Sequence, residues 1–171
     1  IFFNKFLISF NQIQFYDFQT TFLVDNEWWR LITPMLIHFS PTHLIFNCLW
    51  IYILGREIEQ LDGKVIFIFL VLFTSASSNY LQYAFSGPAL FGGLSGVVYG
   101  LLGYCFVSET FNRSNKFSFP PAIYIFMFVW LLIGFTGFLD LLGFGKLANF
   151  AHLGGLLSGI LSGYIFSMYN K

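Results

Sequence analysis

Charged side chains are scarce in this sequence. Asp, Glu, Lys and Arg make up only 9% of the 171 residues, whereas hydrophobic residues make up 57% and aromatic residues 22%. A water-soluble domain with this composition would have too few polar side chains to cover its own core. The shortage of charge therefore excludes a soluble protein and predicts an integral membrane protein embedded in a lipid bilayer.

The residues needed for nucleic-acid binding and for metal chemistry are also lacking. Eight basic residues balance eight acidic ones, so no positive excess indicates a nucleic-acid partner. Three histidines, including the pair His38 and His43, are too few for a di-iron membrane enzyme, and no His-Glu-x-x-His zinc motif occurs. Cys48 and Cys105 lack Cys-x-x-Cys spacing, which predicts two buried thiols acting as small hydrophobes. We expect no metal and no cofactor.

Two other membrane functions are disfavoured by missing residues. An intramembrane aspartyl protease needs two Asp inside apolar stretches, but Asp17 and Asp140 both fall in predicted loops. A transporter or channel is expected to have internal repeats or charged residues along its pathway, and neither is visible. The sequence supports neither class.

Long uncharged stretches predict membrane-spanning helices. Charge-free runs cover 31–55, 65–108, 117–139 and 147–170. Since about 20 apolar residues suffice for one crossing, the longest run must hold two spans. They are predicted at 65–85 and 93–108, divided by the turn-forming Ser86-Gly87-Pro88. The sequence thus predicts five transmembrane helices within residues 42–171.

The first of these helices has a predicted start and end. Pro34 and Pro41 come early in their run, and proline is tolerated at a helix start far better than inside a helix. The helix is therefore expected to begin near Thr42. It is expected to end over 55–59 and to be followed by a short polar turn at 60–64.

The N-terminal part of the chain is predicted to differ from the spans. Residues 1–15 are apolar but interrupted by polar side chains, which predicts the remnant of a truncated first helix. Residues 16–40 mix charges with aromatic rings, a composition typical of the membrane interface, and predict a loop lying on the membrane. We expect residues 1–171 to form a single all-α membrane domain, a polytopic helical bundle.

The distribution of basic residues predicts the orientation of the bundle. Basic residues prefer cytoplasmic loops. One set of loops holds Arg56, Lys64, Arg113, Lys116 and Lys171, whereas the other set holds Arg30 and Lys146. This excess places the C-terminus in the cytoplasm and the break at 86–93 on the extracytoplasmic side.

Four polar side chains are predicted to lie at nearly one depth. Counting a rise of about 1.5 Å per residue from the charged helix ends, Ser95 and His152 both lie about 21 Å from the inner edge of a core about 30 Å thick. His43 lies at about 20 Å by the same count, and Asn47 follows one turn deeper on the same helix face. Ionisable groups at such depth are costly, which favours a functional role.

Each of these groups also has a structural explanation when taken alone. The glycines at 92, 96 and 100 form a row around Ser95 that would let helices pack closely, and the glycines at 155, 159 and 163 do the same near His152. His43 and Asn47 could simply bond a neighbouring helix. Their common depth favours chemistry over packing alone.

These four polar side chains are of the types that acyl transfer requires: a nucleophile, a base and hydrogen-bond donors. A serine hydroxyl becomes a nucleophile when a base removes its proton, and His152 is the base at the level of Ser95. No acidic residue lies inside a span, so a dyad is predicted rather than a triad. Tyr99, one turn after Ser95, could hold the imidazole ring. His43, the Asn47 amide and the Ser95 backbone N–H could stabilise the oxyanion.

At these residues the sequence resembles the rhomboid family of intramembrane serine proteases. The matching motifs are Glu27-Trp28-Trp29-Arg30, His38-Phe39-Ser40, His43-Leu44-Ile45-Phe46-Asn47, Gly55-x-x-x-Glu59-x-x-x-Gly63, Ser86-Gly87-Pro88, Gly93-Leu94-Ser95-Gly96-Val97-Val98-Tyr99 and Ala151-His152. The resemblance covers about 140 residues. It implies a six-helix core whose first helix is largely missing here, and a membrane-lying loop at 16–40.

The resemblance also implies roles for individual residues. Ser95 would be the nucleophile, His152 its partner, His43 and Asn47 the oxyanion donors, and Tyr99 the ring that packs on His152. The substrates would be single-pass transmembrane proteins, cut near a small residue.

Substrates would enter laterally, according to the same resemblance. Their path would pass the helix that carries Trp130, opposite Phe46 and Trp50. The expected location is a bacterial inner membrane, with the active site open to the extracytoplasmic side. The main alternative is a non-catalytic rhomboid-like protein that binds transmembrane helices, but such proteins typically lack the serine or the histidine.

Overall fold

The computed structural model describes residues 18–112, 116–138 and 147–169, and this part of the chain is helical without strands. Five α-helices lie entirely within these described ranges: α1 (Pro41–Asp62), α2 (Lys64–Ser86), α3 (Ser95–Asn112), α4 (Pro121–Phe135) and α5 (Asn149–Tyr169). A π-helix (Gln19–Val24) and two 3-10 helices (Trp28–Leu31 and Thr33–Leu36) precede them. The prediction of an all-α helical bundle is confirmed. The predicted helix remnant at 1–15 lies outside the described residues.

The outer surface of the bundle is apolar. Each α-helix exposes large hydrophobic side chains, for example Leu49, Phe69, Phe106, Phe128 and Leu161. Within the described residues, α2 and the segment Asn149–Met168 of α5 are long and apolar enough to cross a membrane, judged by length and composition. So much exposed apolar surface is expected where lipid replaces water.

The helix boundaries follow local backbone chemistry. Pro41 occupies the first turn of α1, where its missing N–H costs nothing, and the Ser40 hydroxyl caps the helix by accepting the His43 N–H at 3.2 Å. The polar turn predicted at 60–64 is wrong, because α1 continues to Asp62 and only Gly63 separates it from α2. Gly63 has φ +92°, a conformation that lets the chain reverse in one residue.

Two further predictions need correction. Helix α4 ends at Phe135, earlier than the predicted 139, and is followed by Gly137 with φ +73°. Cys105 is buried as predicted, but Cys48 is exposed. Cys48 directly follows the buried Asn47, and successive residues of a helix point about 100° apart, so one of them faces outward.

Helix α3 lies at the centre of the bundle and packs closely on α5. A Cβ added to Gly155 would overlap the carbonyl oxygen of Gly96, and one added to Gly159 would overlap the carbonyl oxygen of Gly100. The two glycine rows therefore bring backbone against backbone, as predicted for a row of small residues.

The segment before α1 is fixed to α2 by side-chain hydrogen bonds. The Ser75 hydroxyl donates to the Ile32 carbonyl at 3.1 Å, and the Asn79 amide donates to the Leu31 carbonyl at 2.8 Å. At the far end of α1, Lys116 forms an ion pair with the buried carboxylate of Asp62. These contacts fix the loops at both ends of the bundle.

Candidate active site

Ser95 is the first residue of α3, and the loop before it is held by residues 34–38. The Gly93 N–H donates to the Pro34 carbonyl at 3.0 Å, and the Leu94 N–H donates to Nε2 of His38 at 3.4 Å. Gly93 has φ +124°, which L side chains rarely adopt. The loop therefore places Ser95 at the first position of α3. The helix begins two residues later than the predicted start of this span at 93.

His152 lies in the first turn of α5 and faces Ser95. Its Nε2 is 2.8 Å from Oγ of Ser95, within hydrogen-bond distance. The side-chain Oε1 of Gln82 accepts the N–H of Ala151 at 3.0 Å, which fixes the start of the helix that carries the histidine. His152 is only 6% exposed. Two residues 57 positions apart in sequence thus meet in a partly buried hydrogen bond.

The ring of Tyr99 covers the imidazole of His152. The two ring centroids are 4.8 Å apart and their planes differ by 29°, so the rings are stacked. The Tyr99 hydroxyl donates to the Met127 carbonyl of α4 at 2.9 Å. The tyrosine is therefore held from both sides, by the imidazole and by the backbone of a neighbouring helix.

His43 and Asn47 of α1 reach the loop that precedes Ser95. A Cβ added to Gly93 would lie 2.8 Å from Cε1 of His43 and 3.6 Å from Nδ2 of Asn47. Asn47 is 3% exposed, and its Nδ2 donates no hydrogen bond within the described part of the chain. A buried amide donor without a partner is costly, which makes this one notable beside the loop that precedes Ser95.

A small cavity lies next to the serine. It measures about 10 Å³, and its walls include Ser78, Ser95 and Ala151. Since about 10 to 15 Å³ holds one water molecule, the cavity is of the size for a single water. Within the described residues, Oγ of Ser78 is buried without a hydrogen-bond partner.

The three aromatic residues predicted to line the substrate path lie on two helices. On α1, Phe46 contacts Trp50 edge to face, with ring centroids 6.1 Å apart. On α4, Trp130 lies beside Phe126, with centroids 5.9 Å apart. Their suggested role in substrate access stays a prediction.

Sequence reasoning missed three contributors to the site. His38 was considered as a metal ligand, yet it accepts the Leu94 N–H and packs against His43 with ring centroids 5.0 Å apart. Gln82 was overlooked, although a polar amide side chain inside an apolar span itself indicates a structural or functional role. The Met127 carbonyl gives no signal in the sequence. Among the described residues, no group of three or more His, Cys, Asp or Glu could hold a metal ion.

A helical membrane bundle with a serine hydrogen-bonded to a histidine defines the class of membrane-embedded serine hydrolases. Comparison with known proteins narrows this class. A Rhomboid domain model matches residues 25–169. The chain is 39% identical over 148 residues to Rhomboid protease GlpG of Haemophilus influenzae, an alignment that covers 86% of this chain and 74% of that protein. The chain belongs to the rhomboid family, and rhomboids are serine intramembrane proteases.

Proposed function

We propose that this chain hydrolyses peptide bonds of single-pass transmembrane proteins, with Ser95 as nucleophile and His152 as its base. The observation that carries the proposal is the 2.8 Å separation of Ser95 Oγ and His152 Nε2. A base within hydrogen-bond reach of the hydroxyl is the geometric requirement for an activated serine. Membership of the rhomboid family supports the same chemistry.

The reaction follows from this geometry. His152 accepts the hydroxyl proton as Ser95 Oγ attacks the substrate carbonyl, and a tetrahedral intermediate forms. The histidine then gives this proton to the leaving amine, which leaves an acyl-enzyme. Water attacks the ester, with His152 again acting as the base, and the free serine returns. The water-sized cavity beside Ser95 supports this second half of the reaction.

Tyr99 takes over part of the role that a carboxylate has in a triad. A carboxylate orients the imidazole and stabilises its charged form. The stacked ring of Tyr99 restricts the orientation of the His152 ring, and the bond from its hydroxyl to Met127 holds the tyrosine in place. The charged imidazole also gains from the face of an aromatic ring.

The oxyanion of the intermediate is proposed to bind near Gly93. The unpartnered Nδ2 of Asn47, the His43 ring and the Ser95 backbone N–H are its candidate donors. Donors of this kind are effective because they are fixed before the charge develops. An amide that is buried without a partner in the free enzyme is suited to this task.

The membrane arrangement is part of the proposal. Helices α1 to α5 would cross a bacterial inner membrane, with the Ser95 end open to the extracytoplasmic side. Substrate helices would reach the serine between the surfaces of Trp130 on α4 and of Phe46 and Trp50 on α1. Cleavage near a small residue would fit a substrate strand passing close to the backbone at Gly93.

A fluorophosphonate probe tests the nucleophile directly. We expect the detergent-solubilised chain to be labelled at Ser95, because only a hydroxyl activated by a base attacks the phosphorus rapidly. Peptide mass spectrometry locates the label. His152→Ala should reduce the labelling rate at least about 10²-fold, the lower range for a lost general base. Labelling at another serine, or equal labelling of both proteins, would refute the proposed dyad.

Substitution of Asn47 tests the oxyanion site. We expect Asn47→Ala to lower kcat by about 10² to 10³-fold with KM nearly unchanged, because the lost donor acts in the transition state. Cleavage kinetics with a transmembrane substrate provide the measurement. Cys48→Ala serves as the matched control, since Cys48 is the exposed neighbour on the same helix. A change in KM alone would assign Asn47 to substrate binding instead.

A further inference from the structure

Helix α4 accepts two hydrogen bonds from side chains beside the dyad. The Tyr99 hydroxyl donates to the Met127 carbonyl. The side-chain amide of Asn149 donates through Nδ2 to the Gly134 carbonyl at 2.7 Å. The two carbonyls are seven residues apart, which is about two turns of a helix, so they lie on nearly the same face of α4. The proposed mechanism gives a role to the first bond only.

The Gly134 carbonyl needs a donor from outside its own helix. Gly134 precedes Phe135, the last residue of α4, and the last four carbonyls of a helix have no N–H partner within it. A carbonyl only accepts, so the Asn149 side chain must present its nitrogen here, which fixes the orientation of the amide. Gly134 is buried, and a Cβ at this position would overlap Oδ1 of Asn149. The amide therefore occupies the space that the glycine leaves open.

Asn149 begins the helix that carries His152. It is the first residue of α5, and His152 follows it by three residues, so the two are neighbours on the helix surface. The backbone N–H of His152 donates to the Ala148 carbonyl at 3.2 Å, directly before Asn149. The turn that sets the position of the imidazole is thus the turn that the Asn149 amide joins to α4. Tyr99, the other donor to α4, covers the same imidazole.

We propose that Asn149 is a positioning residue for His152: its amide joins the first turn of α5 to the backbone of α4 and so holds the imidazole at its distance from Ser95. This inference rests on the proposed function, since it concerns the geometry of that dyad. Tyr99 restricts the ring from its face, whereas Asn149 fixes the backbone from which the ring extends. A misplacement of about 1 Å can cost on the order of 10²-fold in rate, so one hydrogen bond here is enough to affect the reaction.

A purely structural role for Asn149 would have different consequences. Phe150 contacts Phe135 of α4 edge to face, with ring centroids 5.4 Å apart, so apolar packing also holds the two helices together. If Asn149 only capped α4, its loss would lower the stability of the bundle and leave the reactivity of Ser95 in folded molecules unchanged. A test must therefore measure reactivity and stability separately.

Gly134→Ala separates the two quantities. The added methyl group overlaps Oδ1 of Asn149 and displaces the amide, which is the end of a flexible side chain, while alanine favours a helix over glycine. We expect little change in the thermal unfolding temperature. The fluorophosphonate labelling rate of Ser95 should fall about tenfold, the order expected for one lost hydrogen bond. Leu132→Ala, on the exposed face of α4, is the control and should label at the unsubstituted rate.

An engineered disulfide tests whether the amide acts by holding position. In a chain that carries Cys48→Ala to remove the exposed thiol, Asn149→Cys should lower the labelling rate about tenfold, because the donor is lost. Adding Gly134→Cys should restore the rate on oxidation, because the Cβ position of Gly134 lies 3.3 Å from Cγ of Asn149, the place of a cysteine sulfur. Reduction should lower the rate again. Peptide mass spectrometry verifies the disulfide.

The possible failures are distinguishable. If the unsubstituted chain is not labelled at Ser95, the proposed dyad is wrong and this inference falls with it. If that chain is labelled, and Gly134→Ala and Asn149→Cys label equally fast, the dyad stands and Asn149 is not a positioning residue. A verified disulfide that leaves labelling slow would also overturn the proposal, because position alone would then not replace the amide. Failure of both variants to fold would show that Asn149 is a structural cap.

Discussion

Ser95→Ala is expected to abolish proteolysis while leaving the bundle folded. The substitution removes one oxygen atom, whose described bond is to Nε2 of His152, so little packing is lost. Removing the nucleophile of a serine hydrolase lowers the rate by several orders of magnitude, and we expect at least about 10⁴-fold here. The measurement is cleavage of a transmembrane substrate by purified protein in detergent or in liposomes.

The controls separate chemistry from folding. Ser167→Ala makes the same change at another buried serine, far along α5, and should retain full activity. The double variant with His152→Ala should be no slower than either single variant, because residues that act as a unit are not additive. Comparable cleavage by a folded Ser95→Ala protein would disprove the proposed mechanism.

Gly159→Ala is expected to destabilise the bundle strongly, although it adds only one methyl group. A Cβ at this position would overlap the carbonyl oxygen of Gly100, and backbone atoms cannot move aside as a flexible side chain can. Helices α3 and α5 must then separate. Overpacking typically costs about 1 to 3 kcal/mol, and we expect a value at the upper end because both partners are backbone. Unfolding by heat or by a denaturing detergent measures the loss.

Activity should fall together with stability in this variant. Gly159 lies two turns after His152 on α5, so separating the helices lengthens the bond between His152 and Ser95. Leu161→Ala is the control, because Leu161 is 51% exposed on the outer face of the same helix. It should change neither unfolding nor cleavage by much. Wild-type stability of Gly159→Ala would show that the two backbones are not in contact.

The order of the helices and a common depth for the polar groups were predicted from the sequence alone. Charges mark the helix ends, and a fixed rise per residue turns sequence distance into depth. For this reason Ser95 and His152 could be matched before any contact was known. The glycine rows around them likewise predicted close packing of α3 and α5, since glycine is what close approach requires.

The exact ends of the helices and the directions in which individual side chains point were less predictable. Gly63 appeared to be part of a five-residue turn, because the sequence does not reveal that one residue with positive φ can reverse the chain. Cys48 appeared buried because its stretch is apolar, but in a membrane protein an apolar stretch has a face toward lipid. Apolar sequence indicates burial in the membrane and leaves burial in the protein undecided.

The sequence by itself determined that this is a membrane helical bundle of the rhomboid family, and it predicted a serine and a histidine at one depth. Only the tertiary structure decided which atoms meet. The 2.8 Å contact between Ser95 and His152, and the bond of Tyr99 to a backbone carbonyl of α4, depend on how far apart the helices lie and how they are rotated. Depth along a helix is a one-dimensional property that the chain encodes locally. Lateral distance is set by packing between segments far apart in sequence, which is why it appears only in the folded molecule.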